Sequence, residues 1–88
     1  MQCNVKFYGI VQGVGFRERT RRMAKSLNLK GWVRNLRDGS VEAVIQGDPD
    51  TVEQLINYCI SEIPNALVSD VKKRYVVEED FDNFKIIK

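Results

Sequence analysis

Histidine is absent from the 88 residues. That removes Ser-His-Asp and Cys-His nucleophile pairs, imidazole metal ligands, and the side chain that most often exchanges protons near pH 7. Cysteine is scarce: Cys3 and Cys59, far apart in the chain, do not make a zinc site by themselves. Long apolar runs are missing too. No segment approaches the ~20 residues of a membrane span, and Met-Gln-Cys-Asn-Val-Lys at the start has no apolar signal-peptide core. A cytoplasmic protein without a membrane partner is expected. There is no linker, repeat or low-complexity stretch, so a single domain over residues 1–88 is expected. Any catalysis must come from positioning, fixed charge and backbone donors, or from carboxylates, Lys or Tyr.

What is present is an ordinary folding chain, 43% apolar and 30% charged. At this size about 60% of the unfolded surface is buried on folding, which allows one modest core. The net charge of +2 averages two blocks of opposite sign. Residues 17–37 carry Arg17, Arg19, Arg21, Arg22, Lys25, Lys30, Arg34 and Arg37 against Glu18 alone. Residues 38–70 carry Asp38, Glu42, Asp48, Asp50, Glu53, Glu62 and Asp70 and no cation. For most of the basic block, a solvated helix face paired with acidic neighbours is sufficient explanation.

The hydrophobic period changes along the chain. Cys3, Val5 and Phe7 alternate with polar residues, as a half-buried strand does. Phe16, Thr20, Met23, Ala24 and Leu27 recur at helical spacing, with Asn28 placed for a left-handed end. Residues 31–36 read as a second strand, Asp38-Gly39 as a hairpin turn, and Val41, Ala43 and Ile45 as a third strand. Asp48-Pro49 fits the start of a second helix, and Asp50 with Glu53 is an alternative start. Its apolar stripe is Val52, Leu55, Ile56, Cys59, Ile60 and Ile63, closed by Pro64. A charge-rich strand over 71–77 suits a sheet edge, and Phe84-Lys85-Ile86 is a short terminal strand. The order predicts a ferredoxin-like βαββαβ α+β sandwich with an extra C-terminal strand. Two helices cover one face of an antiparallel sheet, and the other face is more open.

The segment from Gly9 to Arg17 joins the first strand to the first helix and holds three glycines. A turn of this kind points several free N–H groups one way and forms an anion site at a helix start. Arg17 adds a planar fork suited to phosphate oxygens. The glycines alone favour a plain structural turn with Arg17 on the surface, and they match neither a Walker loop nor a dinucleotide fingerprint.

Val11-Gln12-Gly13-Val14-Gly15-Phe16-Arg17, then Thr20, Gly31-Trp32-Val33-Arg34-Asn35 and Asp38-Gly39-Ser40-Val41-Glu42, closely resembles the acylphosphatase family. The resemblance implies hydrolysis of a carboxyl–phosphate anhydride to carboxylate and inorganic phosphate, with no metal or organic cofactor. It implies that Gln12, Gly13, Val14, Gly15, Phe16 and Arg17 bind the phosphoryl group, that Arg17 and Asn35 are catalytic, and that Asn35 positions the attacking water. Thr20 is expected to support the loop. Two departures stand out. Ile10 occupies a position that is usually basic in the family, and the C-terminus lacks the Arg-aromatic ending common in relatives.

Trp32 and Phe16 are expected as core or pocket walls, and Cys3 and Cys59 as small buried apolar groups, with a bridge between them left open. A nucleic-acid partner is not expected, because Val41-Glu42-Ala43-Val44-Ile45-Gln46 holds no stacking ring. A monomer is expected, since no second apolar stripe is left over. The alternatives to an enzyme are a non-catalytic binder of phosphate or acyl phosphate, a regulatory module of a larger enzyme, and, less favoured, an RNA-binding ferredoxin-like domain.

Overall fold

The alternating apolar residues at the N-terminus form an interior strand of the sheet. In a computed structural model describing residues 1–88, β1 (Gln2–Ile10) is flanked on both sides by antiparallel partners. The chain continues through α1 (Phe16–Ser26), β2 (Lys30–Asn35), β3 (Val41–Gln46), α2 (Pro49–Ser61), β4 (Leu67–Val76) and β5 (Phe84–Ile86). The five strands are ordered β4-β1-β3-β2-β5, and only β5, beside β2, runs parallel to its neighbour. This is the ferredoxin-like arrangement with one added edge strand.

Cys3, Val5 and Phe7 of β1, Val41, Ala43 and Ile45 of β3, and Val33 of β2 are buried on the helix-covered face. Phe16 and Ala24 of α1 and Val52, Leu55, Ile56 and Cys59 of α2 close over them in one core. Phe7 and Phe16 meet with ring centroids 5.2 Å apart and planes tilted by 56°. That contact ties the first strand to the first turn of α1, so core packing sets where the connecting loop sits.

Helix ends follow local chemistry. Asn28 takes a φ of 58° just past α1, and the Leu29 N–H returns to the Ala24 carbonyl at 2.9 Å. Asp48 caps α2 by accepting from the Asp50 N–H at 3.0 Å, with Pro49 as the first helical residue. Asp48, not Asp50, is therefore the cap.

Three expectations change. Ile60 lies at the margin of the α2 stripe and stays 41% exposed. The fourth strand begins at Leu67, not Val71, because its pairing with β1 continues past a bulge at Tyr8/Gly9 to Ile10. Trp32 is half-buried on the open sheet face, where β2 pairs it with Val44, and it is neither core nor a wall of the phosphate loop.

Cys3 and Cys59 are both buried and both free. Burial pushes the Cys59 thiol up to about 12, slightly offset by its hydrogen bond with Thr20, and raises Cys3 as well. Neither forms thiolate near neutrality. A thiol reagent at pH 8 is expected to leave the native protein unmodified. In denaturant without reductant it should titrate both cysteines, and a blocked pair would contradict the free-thiol state.

Candidate active site

The loop between β1 and α1 uses left-handed backbone at two glycines. Gly13 and Gly15 both have φ of 76°, a conformation that costs a residue with a Cβ. No atom crowds either position, so the requirement is one of backbone conformation and the space above them is open. Gly15 stands at the start of α1, where no side chain caps the helix. The first helical bond runs from the Arg19 N–H to the Gly15 carbonyl at 3.1 Å. From Gln12 to Glu18 no backbone N–H donates to a protein acceptor. Unpaired donors at a helix N-terminus carry partial positive charge and accept an anion.

These groups open into a cleft of about 200 Å³ lined by Gly13, Gly15, Phe16, Arg17, Glu18 and Asn35, with Val11 and Ile86 as apolar walls. Arg17 makes no ion pair or hydrogen bond within the protein, while its neighbour Glu18 is held by Arg21 at 2.6 Å and Arg22 at 3.1 Å. Those two arginines keep the Glu18 carboxyl down at about 2. A depressed carboxyl favours folding above its ordinary value of 4.5, and the contribution is lost as pH falls towards 2. Around neutrality, then, the acid in the cleft is already paired and the Arg17 guanidinium is not.

Asn35 is the last residue of β2, and its pairing with Val41 fixes it beside the β2–β3 turn. Its carboxamide makes no hydrogen bond to protein, and Oδ1 is buried without a partner. A buried polar atom without a partner costs about 1–3 kcal/mol, which singles Asn35 out among the residues lining the cleft.

Gln12 acts through its side chain. Nε2 donates to the Leu36 carbonyl at 2.8 Å and to the Ser40 carbonyl at 2.9 Å. The loop is thereby fastened to the turn that follows Asn35. The turn itself is held by Asp38, which accepts from the Ser40 N–H and hydroxyl and whose carboxyl is lowered by those bonds. Gln12→Ala is expected to lower stability by about 1–3 kcal/mol, from two bonds of about 1 kcal/mol each. It should also cost kcat/KM about tenfold, since small misplacements in a site are expensive. Denaturant melts and steady-state kinetics measure the two effects, and unchanged kinetics in a destabilised variant would remove Gln12 from the site.

The structure thus brings Gly13, Gly15, Phe16, Arg17 and Asn35 to one cleft. It does not bring the Gln12 or Val14 side chains there: Gln12 faces the turn and Val14 packs against the core. Thr20 is fully buried, donates to the Phe16 carbonyl at 2.7 Å and lies 3.3 Å from Cys59 Sγ, so it stiffens the first turn of α1 from below. Ile86 is the residue that sequence reasoning missed. The Phe-x-Ile ending marked a strand, and only the parallel pairing of β5 with β2 puts Ile86 opposite Val33 and beside the cleft. Ile10 is 56% exposed at the end of β1, beside the start of the loop.

A two-helix, five-stranded sandwich whose cleft gathers unpaired backbone donors, an unpaired arginine and an unpartnered asparagine defines an α+β protein. The family model described as acylphosphatase matches residues 3–86. The acylphosphatase of Thermococcus kodakarensis is 45% identical over 87 residues, covering 99% of this chain and 96% of the relative. The structure of an acylphosphatase from Coxiella burnetii superposes with a TM-score of 0.93 at 40% identity, over 98% of this chain and 90% of that one. The acylphosphatase from Bacillus subtilis gives 0.94 at 30% identity, over 99% and 98%. The chain belongs to the acylphosphatase family.

Proposed function

We propose that this chain hydrolyses carboxyl–phosphate mixed anhydrides to a carboxylate and inorganic phosphate, as a single domain and a monomer in the cytoplasm, without a cofactor. The buried, unpartnered Asn35 Oδ1 in the same cleft as the unpaired Arg17 carries the proposal. The N–H groups from Gln12 to Arg17 hold the phosphoryl oxygens. Arg17 bridges two of them and balances the charge that spreads over the equatorial oxygens in the transition state.

Asn35 Oδ1 accepts a hydrogen bond from the attacking water and aims it in line at phosphorus. The new P–O bond forms as the bond to the acyl oxygen breaks, and the departing carboxylate keeps the electron pair. It needs no proton, so no general acid is required. The water's proton passes to a non-bridging phosphate oxygen of the substrate, which explains how a site without histidine manages the transfer. The two free thiols support a cytoplasmic setting.

Hydrolysis in 18O-labelled water tests the route. Label is expected in inorganic phosphate and not in the carboxylate. Label in the carboxylate would mean attack at the carbonyl and would leave Asn35 with no role. The pH profile of kcat tests the base: a bell that requires an enzyme group titrating near pH 7 would overturn substrate-assisted proton transfer.

A further inference from the structure

The second concave surface lies on the open sheet face, away from the loop. It is a groove of about 410 Å³ lined by Asn4, Lys6, Tyr8, Glu42, Lys72 and Arg74. Strand register sets its side chains in two rows. Lys72, Lys6, Glu42 and Arg34 are successive partners across β4, β1, β3 and β2. Arg74, Asn4, Val44, Trp32 and Lys85 form the next row and reach β5.

The two rows hold five cations against one carboxylate. That carboxylate is already engaged, because Arg34 takes Glu42 at 2.7 Å. Lys6, Lys72, Arg74 and Lys85 have no ion-pair partner. Lys6 and Lys72 stand directly opposite each other, a like-charge pairing that disfavours the empty sheet and that an anion relieves. The charges do not converge on one point. They extend across five strands, roughly 19 Å at about 4.8 Å per strand spacing, which suits a chain of phosphates better than a single one.

Two ring faces border this track, Trp32 within it and Tyr8 from the adjoining row, where it stands opposite Asp70. Lys72 Nζ lies 5.6 Å from the Tyr8 ring centroid, and the Arg34 guanidinium carbon lies 5.1 Å from that of Trp32. A polyanion with planar groups uses both features, whereas an acidic peptide uses the charge alone. The exposed large apolar residues, among them Ile10, Ile60, Leu67 and Val77, lie off the two rows. β3 itself carries no ring, and the fold supplies them from β1 and β2 on either side of it.

We propose that the open sheet face binds single-stranded polynucleotide, its phosphates tracking along Lys72, Lys6, Arg74 and Lys85 and its bases stacking at Tyr8 and Trp32. The site is independent of the hydrolytic cleft.

Trp32 is the only tryptophan, so its fluorescence reports this face directly. The experiment titrates the full chain with an oligouridylate of roughly 12 nucleotides, with inorganic phosphate present to occupy the loop. Trp32 should be quenched. The log of affinity should fall against log salt with a slope near −3, at about −0.7 per neutralised phosphate for the four unpaired cations.

The double variant Lys72→Glu/Arg74→Glu should bind at least tenfold more weakly and keep acyl-phosphate hydrolysis within about twofold, since both residues lie outside the cleft. Duplex RNA of the same length, and vesicles of phosphatidylserine and phosphatidylcholine, should bind at least tenfold more weakly than the single strand. An unquenched Trp32 would overturn the proposal. So would a double variant that binds as the parent does, or equal binding of duplex or vesicles.

Discussion

Arg17→Ala lowers kcat/KM for an acyl phosphate by about 10³-fold or more and abolishes competitive inhibition by phosphate. One preorganised neutral donor in such a site is worth about 2.7–4 kcal/mol, and a charged fork contributes at least the upper figure. At 1.36 kcal/mol per tenfold, 4 kcal/mol is about 10³. The loss falls on both binding and turnover. The guanidinium meets charge already present on the bound phosphate, and it meets the redistributed charge of the transition state. Arg17 has no ion pair or hydrogen bond to protein, so its removal breaks no internal contact, and folding stability should change little. Arg17→Lys keeps the charge without the planar fork and should restore only part of the rate. Steady-state kinetics with phosphate as inhibitor, beside a denaturant melt, separate these effects. A kcat/KM within tenfold of the parent would remove Arg17 from the chemistry.

Asn35→Ala separates turnover from binding in the other direction. Expected is a fall in kcat of about 10²–10³, the value of one aligned polar group, with the phosphate inhibition constant kept within about threefold. The backbone cradle and Arg17 remain, so phosphate still binds, and only the water is left without direction. Stability should hold or rise, because the substitution removes a buried oxygen that has no partner in the resting protein. A gain in stability joined to a loss in rate is the signature of a group kept for function. If phosphate binding failed while kcat survived, the roles assigned to Arg17 and Asn35 would be reversed.

Much of this site was legible in the chain because it is local. The strand alternation at Cys3, Val5 and Phe7, the glycine turn and the helical spacing from Phe16 all arise from neighbours along the sequence, and the structure keeps each. Asp48-Pro49 likewise carries its cap within three residues. What sequence did not carry depends on pairing at a distance. Gln12 finds its acceptors at Leu36 and Ser40, across the site, and nothing near Gln12 announces them. Ile86 becomes a cleft wall only because β5 adds parallel to β2. The early start of β4 at Leu67 follows from continued pairing with β1 beyond a bulge, where its own residues are exposed and show no clear alternation. Trp32 looked like core by size, and the pleat of β2 turned it to the open face instead.

The absence of histidine sharpened the mechanism rather than weakening it. An anhydride leaving group departs as a carboxylate, so backbone donors, one arginine and one amide are a sufficient set. That claim meets its most direct test in the hydrolysis of a simple aromatic acyl phosphate by the purified chain with excess chelator, beside Arg17→Ala. The account predicts turnover that the chelator leaves unchanged and that the variant loses by about 10³-fold. Parent activity no higher than that of Arg17→Ala, with phosphate still bound, would contradict it and leave a binding protein in place of an enzyme.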